Sequence, residues 1–567
     1  MGLRIGFQAL ALLLLVCSVD KVAGQWAVQC LIDIQANANV TNNLVGLLDT
    51  NGHPVSNIVD ATAISYSLCT SACGRGSFQW PVLSQDFSSW LLPYLALISQ
   101  LPFGAEERLD NLMSAILTVG SPALAGYSLF ITLLNSRWIN RRFRRFNVDY
   151  PNSHAAVSIV SSLQQFPLNL YSCDFASLIV LPENDRWWEY LHQMTDYGQS
   201  WSAASATSIT WVIIAYILSL VNSPSDGFSS AQANGRATGS IWLWLISIVV
   251  GWLLLSPKCD FKRLKTAYDQ ADQHARTGLP DVIGTSTQRA LTIIAQDGAS
   301  SDELLTPPIF NYSRSLSWAY TAETMFQTFK AASENAQKKI PVNTNEEAVW
   351  TSDSNLPIHP NNRRGSPEQI RVYCRQPAHR QRSHWVPGVF TRMAFASFAG
   401  LALQWGTVGG AILEEWFTPT IGIGCRSLSY IIYGAVSTVI WMMLLISSIL
   451  AHYSAGHSDP KSMFKLVPLA YSVCLRRMGK LLAIANSLWV IVTCVLQYSD
   501  FYDTCFCNSN IISTGQAAYI TIIETSAQAA LEKAAWYGAL SLSLGSAVAF
   551  VIFIFFVLDT VSTKPSS

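Results

Sequence analysis

Long apolar segments separated by polar loops dominate the pattern of this 567-residue chain. Seven of the segments are close to the ~20 residues that a helix needs to cross a bilayer, and they hold few or no charges. They lie at 113–134, 203–222, 239–256, 391–413, 428–451, 481–498 and 536–558. The pattern predicts an all-α integral membrane protein, a helical bundle of about seven transmembrane helices.

The amino-terminal residues have the order of a secretory signal. Arg4 precedes an apolar run over 5–16, and the small residues Ala23 and Gly24 follow. This is the sequence of charged, apolar and cleavage regions in a signal peptide, and its apolar part is too short for a comfortable span. We expect cleavage near Gly24, which leaves the following chain outside the cytosol. An uncleaved anchor would place it on the same side.

Basic residues set the orientation of the predicted bundle. They are abundant after the first and third spans, before the fourth, and between the fifth and sixth; the cluster after the first span is Arg137, Arg141, Arg142, Arg144 and Arg145. The remaining connections hold one each. Because Lys and Arg accumulate in cytoplasmic loops, the rich loops are predicted to be cytoplasmic. The result is seven crossings, with the amino end outside and the carboxyl end inside.

The apolar segment 88–104 does not fit this scheme as an ordinary span. It is short, contains Pro93 and Pro102, and would move the arginine cluster outside if it simply crossed. We therefore predict a re-entrant or interfacial segment, which is tolerated where protein covers the irregular backbone. In the alternative, both 88–104 and 157–181 cross, which makes nine crossings. Four polar residues in 157–181 would be costly in lipid and count against it.

The predicted domain order follows from these assignments. It is a signal peptide (1–24), an exoplasmic N-terminal region (25–87), the re-entrant segment and first three spans (88–256), a cytoplasmic region (257–390), the last four spans (391–558) and a cytoplasmic tail (559–567). Within the cytoplasmic region, 341–369 has the composition of a disordered linker. The segment 315–330 has apolar residues at helical spacing, which predicts a helix on the inner leaflet or on the bundle's own loops.

Six of the twelve cysteines fall on the exoplasmic side of this topology, although they were not used to derive it. They are Cys30, Cys69, Cys73, Cys425, Cys505 and Cys507. An even number in an oxidising compartment predicts disulfides, whose connectivity the spacing leaves open. The close pairs Cys69/Cys73 and Cys505/Cys507 could instead bind a soft metal ion, but no histidine lies nearby in sequence, so no metal is predicted.

The exoplasmic region also carries a glycosylation sequon, Asn39-Val40-Thr41. We predict that Asn39 is modified. A second sequon begins at Asn311, on the predicted cytoplasmic side, and should remain unmodified.

The segment around the fourth span suggests packing and not chemistry. Ala402, Gly406 and Gly410 recur at the four-residue spacing by which membrane helices approach closely. Glu414 and Glu415 follow where this helix meets the outer surface, so we expect neither to be desolvated. The alternative is that the two acids have an ion-binding or ligand-binding role.

The remaining composition argues against several classes of function. Lys and Arg together number 36, as do Asp and Glu, and no basic stripe indicates a nucleic-acid partner. The predicted spans contain no internal charges of the kind that mark proton-coupled transport. No phosphate-binding loop, zinc-hydrolase or nucleophile-elbow motif occurs. The sequence therefore predicts no catalytic, cofactor-binding or metal-binding residue and no enzyme activity; Gln404 is expected to make an interhelical hydrogen bond.

Several blocks resemble a group of uncharacterised fungal multi-pass membrane proteins. They are LLPYLALISQLPFGA, VGSPALAGYSL, SLIVLPENDRWW, PPIFNYSRSLSW and above all LQWGTVGG followed by TIGIGCRSLSYIIYG. The resemblance implies a fungal source and a shared membrane fold. It implies no activity, ligand or site residue.

Three functions are compatible with this sequence. The favoured one is a non-enzymatic multi-pass membrane protein of sensor, receptor or scaffold type, most simply at the plasma membrane. Its partners would be the lipid bilayer and other membrane or cytoplasmic proteins. The second is a transporter, channel or transport accessory for an uncharged or apolar small molecule. The third is a membrane enzyme with a site in the outer loops near Glu414, Glu415 and Asp503.

Overall fold

The computed structural model describes most of the chain. The described residues are 25–41, 44–75, 92–170, 172–195, 202–221, 241–255, 259–272, 291–292, 303, 306–344, 349–352, 357–375, 385–418, 420–455, 462–498 and 501–562. The predicted signal peptide, 1–24, lies outside them, as does the end of the predicted tail.

The described part is predominantly helical. Its helices are α1 (Gln25–Thr41), α2 (Tyr66–Ala72), α3 (Arg108–Gly120), α4 (Pro122–Arg145), α5 (Ser153–Ser162), α6 (Ser172–Val180), α7 (Asp185–Thr195), α8 (Ala203–Val221), α9 (Leu243–Leu255), α10 (Phe261–Asp272), α11 (Ser315–Gln337), α12 (Pro367–Tyr373), α13 (Val389–Phe417), α14 (Cys425–Ala455), α15 (Met463–Tyr498), α16 (Cys505–Asn508), α17 (Ile511–Thr514) and α18 (Ser526–Ser562). The strands are β1 (Leu47–Leu48), β2 (Ala63–Ser65), β3 (Asn169–Leu170), β4 (Leu291–Thr292) and β5 (Tyr519–Thr521).

Four helices are long and apolar enough to cross a membrane: α13, α14, α15 and α18. They correspond to the last four spans predicted from the sequence. Helices α14 and α15 pack against each other, and α13 packs against both α4 and α18. These helices make the protein an all-α membrane protein.

The first and third predicted spans differ from the prediction in the described residues. The segment 113–134 runs through the junction of α3 and α4, whose axes are bent by 108°, so it is not one straight helix. The second span corresponds to α8 (Ala203–Val221), as predicted, and the described part of the third contains the shorter apolar helix α9 (Leu243–Leu255). Hydropathy did not locate the bend because Gly120, Ser121 and Pro122 interrupt the helix without interrupting the apolar run. Seven crossings therefore remain a prediction.

Helix α4 lies at the centre of the bundle. Every residue from Pro122 to Leu133 is buried. Gly126 of α4 faces Gly400 of α13, and a Cβ on Gly126 would lie 2.8 Å from the Gly400 Cα. Such close backbone contact is possible only because both residues lack a side chain, and it maximises van der Waals contact where the hydrophobic effect between helices is weak.

The carboxyl-terminal end of α4 packs on a separate helical region. Phe143 contacts both Phe326 and Phe329 of α11, with ring centroids 5.5 and 5.9 Å apart. The Trp318 indole of α11 is buried and donates a hydrogen bond to the Val160 carbonyl at 2.9 Å. Of the two positions predicted for 315–330, the structure therefore has the helix packed on the protein itself.

The described parts of 341–369 are folded, so the prediction of a disordered linker is wrong for them. Arg363 is buried and donates two hydrogen bonds to the Asp185 carboxylate, at 2.7 and 2.6 Å. Val342 is also buried and donates its backbone N–H to the Asn362 carbonyl. The polar composition suggested disorder, but the polar side chains here hydrogen-bond to partners distant in sequence.

Residues 92–98 of the segment 88–104 are helical and are followed by irregular chain, while 88–91 lie outside the described residues. The end of this segment lies beside residues predicted to be cytoplasmic: the Phe261 N–H donates to the Gly104 carbonyl at 3.1 Å, and Ser205 donates to Gln100 at 2.6 Å. The sequence prediction placed Gly104 and Phe261 on opposite sides of the membrane, and these contacts are incompatible with that combination.

Candidate functional site

The amino-terminal region and the loop between α15 and α18 form one small module, here called the outer module (25–75 and 501–525). Its sheet has the order β1-β2-β5, with antiparallel pairs Leu47↔Ile64 and Ile64↔Ile520. The last strand directly precedes the long helix α18. The sheet thus joins the amino-terminal region to the membrane bundle through backbone hydrogen bonds.

The six predicted exoplasmic cysteines form three pairs at disulfide distance, two within this module and one between the module and α14. They are Cys30–Cys73, Cys69–Cys505 and Cys425–Cys507, with Cα–Cα distances of 5.6, 5.9 and 4.7 Å. Two of the three pairs connect distant parts of the chain: Cys69 with the loop before α18, and that same loop with the first residue of α14. The outer module is therefore attached to the bundle covalently as well as through the sheet.

The two predicted sequon residues are in different surroundings. Asn39 is exposed on α1, in the outer module. Asn311 is fully buried at the junction with α4, where its amide donates to Gln164 at 3.3 Å. Modification of Asn39 remains a prediction.

Glu414 and Glu415 are buried, so the expectation that neither is desolvated was wrong. Only 2% and 7% of these residues is exposed. The charge of Glu415 interacts with those of Arg426 and Glu532. Sequence placed the acids correctly near the end of α13, but the packing of α18 against α13, seen where Gly410 approaches Ala539, covers the helix end.

Arg426 and Asp503 form an ion pair close to these acids. The Arg426 Nη2 is 3.6 Å from the Asp503 carboxylate, and its Nη1 donates to Asn508 at 3.0 Å. Burial raises the pKa of Asp503, and the Arg426 charge offsets part of that rise.

The predicted small-residue ridge of α13 is partly in contact with α18. A Cβ on Gly406 would lie 2.2 Å from Ser546 Oγ, and one on Gly410 would lie 2.8 Å from the Ala539 carbonyl. Ala402 is exposed. The close approach at Gly406 and Gly410 is what a small-residue helix interface requires.

The most unusual polar feature is the break between α3 and α4, in the middle of the bundle. A broken helix leaves carbonyls at the end of the first half and N–H groups at the start of the second without intrahelical partners. Such groups are costly away from water. Polar side chains from three other helices, α13, α14 and α15, supply the missing partners.

Side chains of α14 and α15 donate hydrogen bonds to the carbonyls at the end of α3. Tyr433 of α14 donates its hydroxyl to the Val119 carbonyl at 2.8 Å, and Asn486 of α15 donates its amide to the Gly120 carbonyl at 2.8 Å. The Ser121 N–H closes the last turn on the Leu117 carbonyl.

The start of α4 is satisfied by Gln404 and Ser121. The Gln404 Oε1 accepts the Ala123 N–H at 3.0 Å, and the Ser121 hydroxyl accepts the Leu124 N–H at 3.3 Å. Gln404 also accepts a hydrogen bond from Ser437 and donates to the Gly434 carbonyl at 2.9 Å. Pro122 has no N–H to satisfy, which suits the first position of a helix.

Gln404 was expected to make an interhelical hydrogen bond, and it does. The sequence did not reveal that its partner is the Ala123 backbone N–H, which the helix break leaves without an intrahelical acceptor. The only available signal was the Gly-Ser-Pro sequence at 120–122 within an apolar run, because glycine and proline mark helix boundaries. The partners Tyr433, Ser437 and Asn486 carried no comparable signal.

This arrangement provides hydrogen bonding but no evident catalytic group. The groups at the break are amides, hydroxyls and backbone atoms. Among the described residues, no three His, Cys, Asp or Glu side chains are placed to hold a metal ion. The chain matches no protein-family model, no curated protein and no solved structure. Any function must therefore be inferred from the geometry.

Proposed function

We propose that the protein is a non-enzymatic membrane protein of sensor, receptor or scaffold type. In this proposal it resides in the plasma membrane of a fungal cell, reaches it by a cleaved signal peptide and is glycosylated at Asn39. The observation that carries it is a continuous path of contact. The outer module is bonded to the bundle, the bundle holds the broken helix, and the end of α4 packs on α11.

Each step of this path is a specific contact. The pair Cys425–Cys507 attaches the outer module to the first residue of α14. Tyr433 and Ser437, two and three turns further along α14, bond to the chain at 119–121. Phe143, at the far end of α4, lies against Phe326. A displacement of the outer module therefore has a direct route through packed elements to the other end of the bundle.

We further propose seven crossings, with the roles of two segments exchanged relative to the sequence prediction. The segment 88–104 crosses, and the pair α3 and α4 enters and leaves on the cytoplasmic side. The contact of Gly104 with the chain at 259–261 supports this, as does the sharp bend between α3 and α4. The arginine cluster at 137–145 then stays cytoplasmic. Buried Tyr94, Leu97 and Leu101 would shield the irregular crossing from lipid.

The test of the proposed coupling uses reduction from outside. Sealed vesicles with the outer module facing out are treated with a membrane-impermeant reductant, and amide hydrogen exchange is followed. Coupling predicts faster exchange both at 118–126 and in α11. A mutant with Cys69 and Cys505 both replaced by serine should respond less to the reductant. Faster exchange confined to 25–75 and 501–525 would contradict the proposal.

The alternative is a transporter, channel or transport accessory for an uncharged small molecule. One observation favours it: a discontinuous helix in the middle of a bundle is where many transporters bind their substrate. The two functions differ in whether water reaches the break. Ser121→Cys and Ser437→Cys are small changes at this point, and labelling by a membrane-impermeant thiol reagent can be mapped to each residue. Rapid labelling would favour transport, and protection would favour the sensor or scaffold.

A further inference from the structure

The amino-terminal end of α13 favours the binding of an anion. The residue before the helix is Gly388, in a left-handed conformation (φ 76°), and no side chain caps the helix there. The Val389 N–H donates to the Val386 carbonyl at 3.2 Å, but the N–H groups that follow it in the first turn have no intrahelical acceptor, and the helix dipole adds partial positive charge at this end. Both effects favour a negatively charged group.

Arg392, on the first turn of the same helix, is a second and independent indication. It is only 8% exposed, its Nε donates to the Asn135 side chain at 3.0 Å, and its guanidinium lies 4.2 Å from the Trp138 ring centre. Its two terminal nitrogens are buried and have no hydrogen-bond partner among the described residues. Buried donors of a charged group are costly to leave without acceptors.

One of these two nitrogens lies near the start of the helix. The Arg392 Nη1 lies 3.9 Å from the position that a Cβ on Gly388 would occupy. It is the sole contact within 4 Å of that position that the described residues provide. Within the described part of the chain, the guanidinium and the start of the helix therefore border the same space.

The surrounding charges do not neutralise Arg392. Its charge interacts with those of Glu323 and Arg142. The Glu323 Oε1 already accepts hydrogen bonds from Arg142 and from Gln327. Two arginines therefore share one carboxylate, which leaves one net positive charge.

The length of α13 places this point at the membrane surface. Its 29 residues span about 44 Å at 1.5 Å per residue. That is the full thickness of a bilayer with its headgroups, ~40–45 Å, and exceeds the ~30 Å of hydrocarbon. The first turn therefore lies at the depth of the lipid phosphates. Exposed Phe390, Phe395 and Phe398 continue along the same helix, where acyl chains would pack.

We propose that Arg392 and the α13 terminus beside Gly388 bind the phosphate of an anionic phospholipid. The planar guanidinium fork matches phosphate oxygens, and the terminal N–H groups of the helix add further donors. Basic sites between membrane helices on the cytoplasmic side are suited to anionic headgroups.

The test measures lipid retention by the full chain in neutral detergent, by native mass spectrometry. Phosphatidylglycerol and phosphatidylcholine with the same acyl chains are titrated separately, and a third series adds inorganic phosphate to the phosphatidylglycerol. The wild-type protein is expected to retain phosphatidylglycerol at about tenfold lower concentration than phosphatidylcholine. Equal retention would overturn the proposal. Displacement by inorganic phosphate at equal concentration would overturn the lipid as the source of the phosphate.

The variants separate this site from general charge attraction. Arg392→Gln should abolish the preference, whereas Arg477→Gln, which removes an exposed arginine of α15, should preserve it. Equal losses in both variants would reduce the effect to net charge and overturn the site. If Arg392→Gln does not fold, the wild-type protein still decides: phosphatidylglycerol with a photoreactive acyl chain should label 389–398 more than its phosphatidylcholine counterpart. Equal labelling would again refute the site.

Discussion

Gln404 offers the most direct test of the helix break. Replacing it with leucine keeps a side chain of similar size but removes the amide that reaches α4. Its partners are affected unequally. Ser437 still has Ser121 Oγ at 3.3 Å, and the Gly434 carbonyl still accepts from Thr438 at 2.9 Å. The Ala123 N–H has no such substitute, since Gln404 is the acceptor that it uses.

The expected loss of stability follows from the Ala123 N–H, which is the one group left without a hydrogen-bond partner. A buried donor that loses its acceptor costs about 1–3 kcal/mol. Hydrogen bonds within membrane bundles average nearer 0.6 kcal/mol, because the unfolded state in a bilayer or micelle also finds partners. We therefore expect Gln404→Leu to lower the free energy of unfolding by about 1 kcal/mol. Amide exchange across 118–126 should accelerate by somewhat less than tenfold, since tenfold corresponds to about 1.4 kcal/mol.

The assay is reversible unfolding in mixed micelles, combined with hydrogen exchange resolved to peptides. Thr407→Val is the matched control: Thr407 is equally buried on α13, but its hydroxyl donates within its own helix, to the Leu403 carbonyl at 3.0 Å. It should change stability by less than about 0.5 kcal/mol. If Gln404→Leu matches this control and leaves exchange at 118–126 unchanged, the proposed role of Gln404 at the break is refuted.

Three further predictions concern other parts of the molecule. Gly400→Ala should cost about 1–3 kcal/mol, because its Cβ would lie 2.6 Å from the Ala123 carbonyl. Gly545→Ala is the control, because a Cβ on Gly545 would meet no atom of the described residues within 4 Å, and it should be neutral or stabilising. Equal unfolding midpoints for the Gly400→Ala and Gly545→Ala variants would contradict this explanation. Folding raises the pKa of Asp503 above its ordinary value of 3.8, so the folded state binds more protons than the unfolded state between these two pKa values. The free energy of unfolding should therefore fall as the pH rises from below 3.8 through the raised pKa. Asp503→Asn should flatten that dependence in pH-titrated unfolding, and an unchanged slope would count against it. Glycosidase treatment should shift the electrophoretic mobility of the wild-type protein but not of Asn39→Gln; sugar on buried Asn311 would instead overturn the assigned sides.

Some of the candidate site was predictable from local pattern. The apolar runs that became α13, α14, α15 and α18 were located correctly, because the membrane requires a minimum length of apolar helix that is written directly in the sequence. The grouping of six cysteines was also visible, since it follows from the alternation of spans. Their pairing was not, because Cys69 meets Cys505 only through the sheet that joins β2 to β5.

Other features depended on contacts that no local pattern contains. Glu414 and Glu415 were placed correctly along the chain, yet both are buried, and Glu415 interacts with the charges of Arg426 and Glu532. Arg363 lies in a segment of disorder-like composition, but it is buried and donates to Asp185. In each case a polar residue was assigned to solvent because the residues that it contacts lie far away in sequence.

The sequence by itself indicated a membrane protein, included the four long apolar helices among its seven predicted spans, and grouped the six cysteines that lie at disulfide distance. Those properties depend on residue type and on length. Only the tertiary structure decided how the broken helix at Gly120–Pro122 is satisfied and that Arg392 retains unused donors. Hydrogen bonding and charge balance depend on which distant side chains converge, and that is fixed by packing.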